Sequence, residues 1–524
     1  MGTPVVELPR RMNAATYFVD THAEAGRGDD LAVVDAASGA EHTYGQVLQQ
    51  VNRAGNALAG LGLRREDRVT LLLLDSPELV SCFFGAIKIG AVPIPTNTLL
   101  KPADYAYLLN DSRARVLVVH EELWPLVEPI RPQLRYLERV VMVGPGAGDS
   151  PDVIGHAELV GAASAELSPE LMDRDDACFW LYSSGTTGFP KGAVHLQHDM
   201  IYAADLYAIP TLGIERQDRT FSVAKLFFAY GLGNGLYFPF RVGASTVLYP
   251  QKADAAAAFE LIAQHRPSLF FSVPTGYAAM LAHDEAARRY DTSSLRLCIS
   301  AGEALPAALY TRWQERFGVE ILDGIGSTEI LHIFISNRPG RAQPGSTGEI
   351  VEGYEASIVD EQGAEVPTGE VGDLLIKGDS TCSCYWNKHQ QSKETIQGHW
   401  IRTGDKYSRD AAGYFWYQGR SDDMIKVGGI WVSPVEVEGA LVQHPAVLES
   451  GVVGLENAQG LVKPTAFVVL KGAASAPRRE ALVGELQEFV KQRLAVYKYP
   501  RAIHFVDELP KTATGKIQRY KLRQ

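Results

Sequence analysis

The sequence has no apolar stretch near the roughly 20 residues that a membrane-spanning helix requires, so no membrane partner is expected. It also lacks a basic excess: 62 Asp and Glu outnumber 50 Lys and Arg, for a formal net charge of -12. Such a surface repels phosphate backbones, and with no local basic patch nucleic acid is not an expected partner. Cysteine is scarce. The five scattered thiols (Cys82, Cys178, Cys298, Cys382 and Cys384) are odd in number, which argues against a disulfide framework and fits a reducing cytoplasm. Cys382 and Cys384 form a Cys-x-Cys pair, but no second pair or histidine cluster completes a structural metal site. Met1-Gly2-Thr3-Pro4 lacks the apolar core of a secretory signal, and there is neither an internal repeat nor a long low-complexity segment.

What is present is the balance of an ordinary globular protein, 46% hydrophobic and 21% charged, in a chain of 524 residues that exceeds one hydrophobic core. Short apolar runs alternate with helix-like segments. Residues 69–74 read as a buried strand, 77–90 as a helix stopped by Gly90, 103–110 as a helix and 116–119 as a strand. The rhythm recurs at 269–273, 295–299 and 319–322. Alternation of this kind predicts mainly parallel, helix-covered sheets in an α/β fold. From Gly348 the pattern shifts to short strands between glycine and proline turns, at 349–351, 356–360 and 372–377, predicting a β-rich subdomain. The last hundred or so residues, with a helix over 480–495, suffice for a small α+β domain. The boundary is drawn after Arg420, giving residues 1–420 and 421–524.

The strongest motif is Tyr182-Ser183-Ser184-Gly185-Thr186-Thr187-Gly188-Phe189-Pro190-Lys191-Gly192, directly after the apolar run 177–181. Small residues let backbone amides approach an anion, hydroxyls add donors, and the lysine adds charge, which together suit a polyphosphate. It is not the kinase and GTPase P-loop, because Gly192, not serine or threonine, follows Lys191. The string resembles the phosphate loop of the adenylate-forming superfamily, which comprises acyl- and aryl-CoA ligases, peptide-synthetase adenylation domains and firefly-type luciferases. Five further matches follow in the family's order. They are Ser300-Ala301-Gly302-Glu303-Ala304, Asp323-Gly324-Ile325-Gly326-Ser327-Thr328-Glu329, Arg402-Thr403-Gly404-Asp405, Gly419-Arg420-Ser421-Asp422-Asp423-Met424-Ile425-Lys426 and Pro510-Lys511-Thr512-Ala513-Thr514-Gly515-Lys516.

This resemblance implies an enzyme using ATP and CoA as co-substrates and Mg2+ as cofactor, with a mobile C-terminal domain. Ser183, Ser184, Gly185, Thr186, Thr187, Gly188 and Lys191 would hold the phosphates, with Thr186 also catalytic. Gly302, Glu303 and Ala304 would form the adenine loop, Ile325 would contact the base, Asp323, Ser327 and Thr328 would also bind the nucleotide, and Asp405 and Arg420 would hold the ribose and phosphate side. Glu329 would ligate magnesium, and Lys516 would meet the acid carboxylate and the α-phosphate together. Asp422 maps to the hinge, and Lys426, Gly428, Gly429 and Trp431 to the pantetheine path. Two positions depart from the family: Ile325 replaces the tyrosine that stacks on adenine, and Phe228 stands where a gating histidine often follows Phe227.

The selectivity segment 225–234 carries no aspartate to hold an amino acid's ammonium. Ala229, Ala301, Gly324 and Gly326 are small enough to admit a flat ring, and Phe228, Tyr230 and Ile333 can sandwich one. His332 is the nearest polar candidate, and a purely structural histidine is as good a reading. With the stretch 330–334, the segment resembles benzoate–CoA ligases, so benzoate or a close aromatic acid, ATP and CoA are the expected partners. A ligase for amino- or hydroxybenzoate, a medium-chain acyl-CoA synthetase, a luciferase-like oxygenase and a non-enzymatic scaffold are the alternatives. Retention of Glu329, Asp405 and Lys516 weighs against the scaffold. Either a monomer or a homodimer is expected.

Overall fold

The helix Pro77–Lys88 shows how local sequence sets these elements. The Ser76 side chain accepts a hydrogen bond from the Leu79 amide, Pro77 occupies the first turn, and Gly90 (φ 76°) ends the run. A computed structural model describes residues 6–146, 153–183, 189–421, 423–427, 430–456, 462–472, 475–511 and 517–523.

Two sheets carry most of the parallel strands. One has five, in the order Val92–Pro95, Arg68–Leu72, Val116–His120, Arg139–Val143 and Val153–Gly155. Val92–Pro95 tolerates Pro93 and Pro95 because it lies at the edge of that sheet, where a missing amide breaks no ladder. The other has nine, in the order Glu349–Ile350, Ile333–Ser336, Ile321–Gly326, Leu297–Ser300, Leu269–Ser272, Arg219–Ser222, Ser245–Leu248, Leu31–Asp35 and Glu41–Thr43. Its central six strands are mutually parallel, and the others pair antiparallel at the edges. Inward side chains of both sheets share a continuous apolar core that includes Phe83, Phe84, Val118, Phe179, Phe271 and Ile299.

Two expectations shift. The strand expected at 319–322 runs from Ile321 to Gly326, because it pairs with Leu297–Ser300 on one side and Ile333–Ser336 on the other. Glu349–Ile350 joins the edge of the nine-stranded sheet instead of opening the β-rich subdomain. Gly348 (φ 100°) causes this: a Cβ there would stand 2.0 Å from the Ser336 carbonyl carbon, an approach only glycine allows. The β-rich sheet therefore begins at Glu355–Val359 and continues through Gly372–Lys377, Trp400–Arg409 and Phe415–Arg420, all antiparallel.

Beyond it, Val447–Glu456, Val462–Leu470 and Ala502–Phe505 form a small sheet covered by Pro434–Val442 and Ala476–Lys491. Val437, Leu441, Val452, Val468, Leu486 and Val490 give this C-terminal α+β domain its own core. Among the described residues no helix is long and apolar enough to cross a membrane.

Candidate functional site

In parallel sheets, the loops leaving the carboxyl ends of the strands share one edge, and ligands gather there. Ser272 is in register with Ser300, and Ser300 with Asp323. The selectivity segment follows Ser222, the 301–304 loop follows Ser300, and the 323–329 motif begins within the next strand. Topology thus collects three of the sequence motifs at one sheet edge. Asp323 is buried there. Its Oδ2 accepts from the Leu305 amide at 3.4 Å, and the buried Ser300 hydroxyl lies beside the carboxyl and favours its charged form. Burial pushes the Asp323 carboxyl well above its ordinary range. Ala301 is buried, whereas Gly302, Glu303 and Ala304 pass over this pair nearer the surface. Ile325 is half-buried against the core.

The phosphate motif connects two antiparallel strands, Ala177–Ser183 and Lys191–Leu196, with Ser183 opposite Lys191. Ser184, Gly185, Thr186, Thr187 and Gly188 lie outside the described residues. Both ends of the loop are tied to the helix Pro102–Ser112. The Tyr182 hydroxyl donates to Asp111 Oδ2 at 2.9 Å, the Tyr107 hydroxyl donates to the Pro190 carbonyl at 2.9 Å, and Tyr107 stacks on the exposed Phe189 ring. The Ser183 hydroxyl is buried without a partner.

Glu329 is held at several points. Its Oε1 accepts from the Tyr385 hydroxyl at 2.7 Å, and its carbonyl accepts from the Cys382 amide at 2.7 Å. The preceding Thr328 carbonyl lies 2.8 Å from His195 Nε2, whose Nδ1 is 2.7 Å from Asp199 Oδ2, so both ring nitrogens face oxygen acceptors. Burial alone would raise the Asp199 carboxyl, but hydrogen bonds from His195 and His198 outweigh it and leave the group below its usual range. Ser327 Oγ accepts from the Ile330 amide and closes the turn. Leu331 then adopts φ 72°, a left-handed conformation costly for a branched side chain, on the way from Glu329 to His332. The described residues contain no group of three His, Cys, Asp or Glu able to cage a metal. A single carboxylate that shares Tyr385 with the Lys191 ammonium would suit a magnesium ion arriving with phosphate oxygens, so the residues present fit that ion.

His332 and Ile333 turn the other way, into an aromatic surround. The His332 ring lies 4.3 Å from Phe238, 5.6 Å from Tyr230 and 5.7 Å from Tyr207, centroid to centroid. Its Nε2 is 3.1 Å from Asn234 Oδ1, while Nδ1 and Asn234 Nδ2 are buried and unpartnered. Burial lowers its pKa to about 3, so the imidazole is neutral. The Tyr230 hydroxyl is spent on the Ser272 and Ile299 carbonyls, which leaves that residue only a ring face to offer. Ala229 and Ile333 are buried, and Gly324 and Gly326 admit no Cβ without meeting Ile333 and the His332 carbonyl. Phe228 is half-buried and packs on Phe227 at 4.4 Å.

Asp405 and Arg420 face each other across paired strands, with Arg420 Nη1 donating to Asp405 Oδ1 at 3.1 Å. Gly404 (φ 76°) leaves room for that guanidinium. Asp422, Gly428, Gly429 and Lys516 lie outside the described residues, as do the side chains of Lys426 and Trp431, whose backbones pair across a hairpin.

Residues 19–386 match the family of AMP-binding enzymes, and residues 436–516 match the AMP-binding enzyme C-terminal domain. This chain belongs to the AMP-binding enzyme family. The benzoate–CoA ligase of Thauera aromatica is 51% identical over 522 residues, covering 99% of this chain and 97% of the relative. The crystal structure of the anthranilate CoA ligase AuaEII with anthranoyl-AMP is 48% identical, with a TM-score of 0.93 and coverage of 98% of this chain and 97% of that one. A benzoate CoA ligase from Burkholderia xenovorans is 47% identical, with a TM-score of 0.89 and coverage of 98% and 100%.

Within this AMP-binding enzyme, sequence reasoning passed over Tyr385, His195, Asp199, Tyr107 and Asp111. Tyr385 meets Glu329 across 56 positions and His195 meets Thr328 across 133, so no local pattern marks either. The one available signal was the spacing of His195 and Asp199, four residues apart just after the phosphate-loop lysine.

Proposed function

We propose that this enzyme activates benzoate with ATP and transfers it to coenzyme A. The observation that carries the reading is the strand–turn–strand unit Ile321–Gly326 and Ile333–Ser336. Within 323–333 it carries the buried Asp323 carboxyl, which would meet an adenine amine, the Glu329 carboxylate, which would meet a phosphate-borne cation, and the buried, uncharged His332 and Ile333, against which a flat ring would pack. The three ligand classes of the reaction meet along one short stretch of chain.

In the first half-reaction a benzoate oxygen attacks the α-phosphorus of ATP, and the bond to the bridging oxygen breaks to release pyrophosphate. Lys191 and the phosphate loop, including Thr186, hold the β- and γ-phosphates. Asp405 accepts from the ribose hydroxyls beside Arg420, and Lys516 offsets the charge of the two anions brought together. Glu329 would hold a magnesium ion, which would supply charge neutralisation for the departing pyrophosphate. In the second half the CoA sulfur attacks the acyl carbon, its proton leaves to solvent, and the carbon–oxygen bond to AMP breaks. The domain boundary falls at 420/421, with Asp422 as the hinge that exchanges Lys516 for the 426–431 hairpin, where Lys426, Gly428, Gly429 and Trp431 line the pantetheine path. The reaction belongs to aromatic acid degradation in the cytoplasm.

A second reading, anthranilate, is favoured by the likeness to the AuaEII structure and by the unpartnered His332 Nδ1, an acceptor that would suit an ortho amino group. The test is AMP release with benzoate, 2-aminobenzoate, 4-hydroxybenzoate and octanoate, with and without CoA. Benzoate should rank first and require CoA for turnover. ADP as product would refute the adenylate chemistry.

A further inference from the structure

Lys191 and Glu329 carry opposite charges and approach the same side chain, yet among the described residues they do not ion-pair. Tyr385 stands between them. The Lys191 ammonium sits 4.4 Å from the centre of its ring, and its hydroxyl donates to Glu329 Oε1 at 2.7 Å. Tyr385 itself is fixed. It is 4% exposed, its backbone pairs with Ala193, its amide donates to Ser392 Oγ, and Trp386 beside it donates to the Gly192 carbonyl.

We infer that Tyr385 is a positioning residue that keeps the phosphate lysine and the metal carboxylate apart and aimed at the same triphosphate. The inference rests on the proposed roles of Lys191 and Glu329. A lysine and a glutamate released toward each other would neutralise one another and offer the nucleotide neither charge. The tyrosine prevents this by giving each a different part of one rigid group. The π face takes the cation. The hydroxyl edge takes one carboxylate oxygen, which leaves the other for a ligand. A hydrogen bond to a charged group also fixes the carboxylate's rotation, which an isolated glutamate on a turn would not keep. Because the same ring serves both, moving it disturbs the phosphate and metal contacts together, whereas removing only the hydroxyl separates them.

Two variants make that separation. Tyr385→Phe retains the ring and loses the hydroxyl, and Tyr385→Leu loses both. Calorimetric titration with ATP in EDTA and with ATP plus Mg2+ reads binding independently of turnover. Tyr385→Phe should bind metal-free ATP within about twofold of wild type but lose about tenfold of the affinity gained from Mg2+. Tyr385→Leu should also weaken metal-free binding. In kinetics, pyrophosphate release by Tyr385→Phe should slow about ten- to a hundredfold, while supplied benzoyl-adenylate and CoA still give thioester at the wild-type rate. Full retention of the Mg2+ gain by Tyr385→Phe overturns the inference, as does equal loss of both half-reactions. If Tyr385→Leu does not fold, Tyr385→Phe decides alone. A wild type that binds Mg-ATP but makes no AMP from any aromatic acid would refute the proposed function, while the calorimetry would still judge Tyr385.

Discussion

Replacing Gly324 with alanine puts one methyl group into the proposed acid pocket. On the existing backbone its Cβ would stand 2.9 Å from Ile333 Cγ2, 3.0 Å from the Ile335 carbonyl oxygen and 3.2 Å from Ile333 Cδ1. Comfortable carbon contacts lie at about 3.5–4.0 Å, so all three are too close. The Ile335 oxygen belongs to a paired strand and cannot retreat without breaking the ladder, so the Ile333 side chain must give way. Ile333 is only 1% exposed, so its side chain can yield only by displacing its packed neighbours or by moving into the space proposed for the acid. Overpacking of this size costs about 1–3 kcal/mol, which corresponds to a loss of about five- to a hundredfold in rate. Benzoate kcat/KM should fall by that factor, propionate should fall less, and the ATP KM should stay put. Pyrophosphate release across the two acids measures this. Ile333→Ala removes both clashing carbons of that side chain, so the double variant should recover benzoate activity relative to Gly324→Ala, with a coupling of about 1 kcal/mol or more. An equal loss for both acids, or strictly additive effects, would refute the placement of the ring.

Lys516→Ala should nearly abolish adenylate formation while leaving supplied benzoyl-adenylate competent with CoA; equal loss of both steps in a folded variant would contradict the division. The His332 pKa of about 3 lies below its ordinary 6.5, so the folded protein refuses a proton that the unfolded chain accepts. Its contribution to stability is therefore complete well above pH 6.5 and is lost as pH falls toward 3, by about 1.6 kcal/mol between pH 6.5 and 5. Urea unfolding at pH 5 and 7.5 should show His332→Asn missing that part of the slope, and an identical slope would place His332 in a wetter site.

What the sequence made legible was local. Ser76, Pro77 and Gly90 delimit a helix within fourteen residues of each other, and the apolar runs at 116–119 and 269–273 announce buried strands without help from distant chain. The motifs were legible for a similar reason, since each is a contiguous string. Other glycines have a tertiary cause that no local pattern carries. Gly324 and Gly326 lie within or at the end of a strand because Ile333 and the His332 carbonyl leave no room for a Cβ, not because the chain turns there. Gly348 returns the chain to the large sheet through its approach to Ser336, a contact that no window around residue 348 contains. The Asp405–Arg420 pair lay in between: both residues were visible in motifs, but their register across two strands was not.

The pair Cys382 and Cys384 shows the same limit at the centre of the site. Only Cys384 lies in a strand, the two-residue Cys384–Tyr385, and Cys382 stands just before it, yet residues 382–388 tie distant parts of the chain together. The Cys382 amide donates to the Glu329 carbonyl, Ser383 donates to the Val194 carbonyl, and Trp386 donates through its amide to Gly192 and through its indole to the Asp111 carbonyl. Lys388 completes the span with an ion pair to Asp111 at 3.2 Å. Seven residues thus touch the turn that carries Glu329, the strand that begins at Lys191, and the helix to which Tyr182 and Pro190 are tied. Burial pushes the Cys382 thiol well above its ordinary range, which keeps it a protonated packing group and a poor ligand. The thiols mark this segment in the sequence without doing its chemistry. The residue that does reach the charged groups is the tyrosine directly after them, and its partners can be named only once three distant parts of the chain are seen side by side.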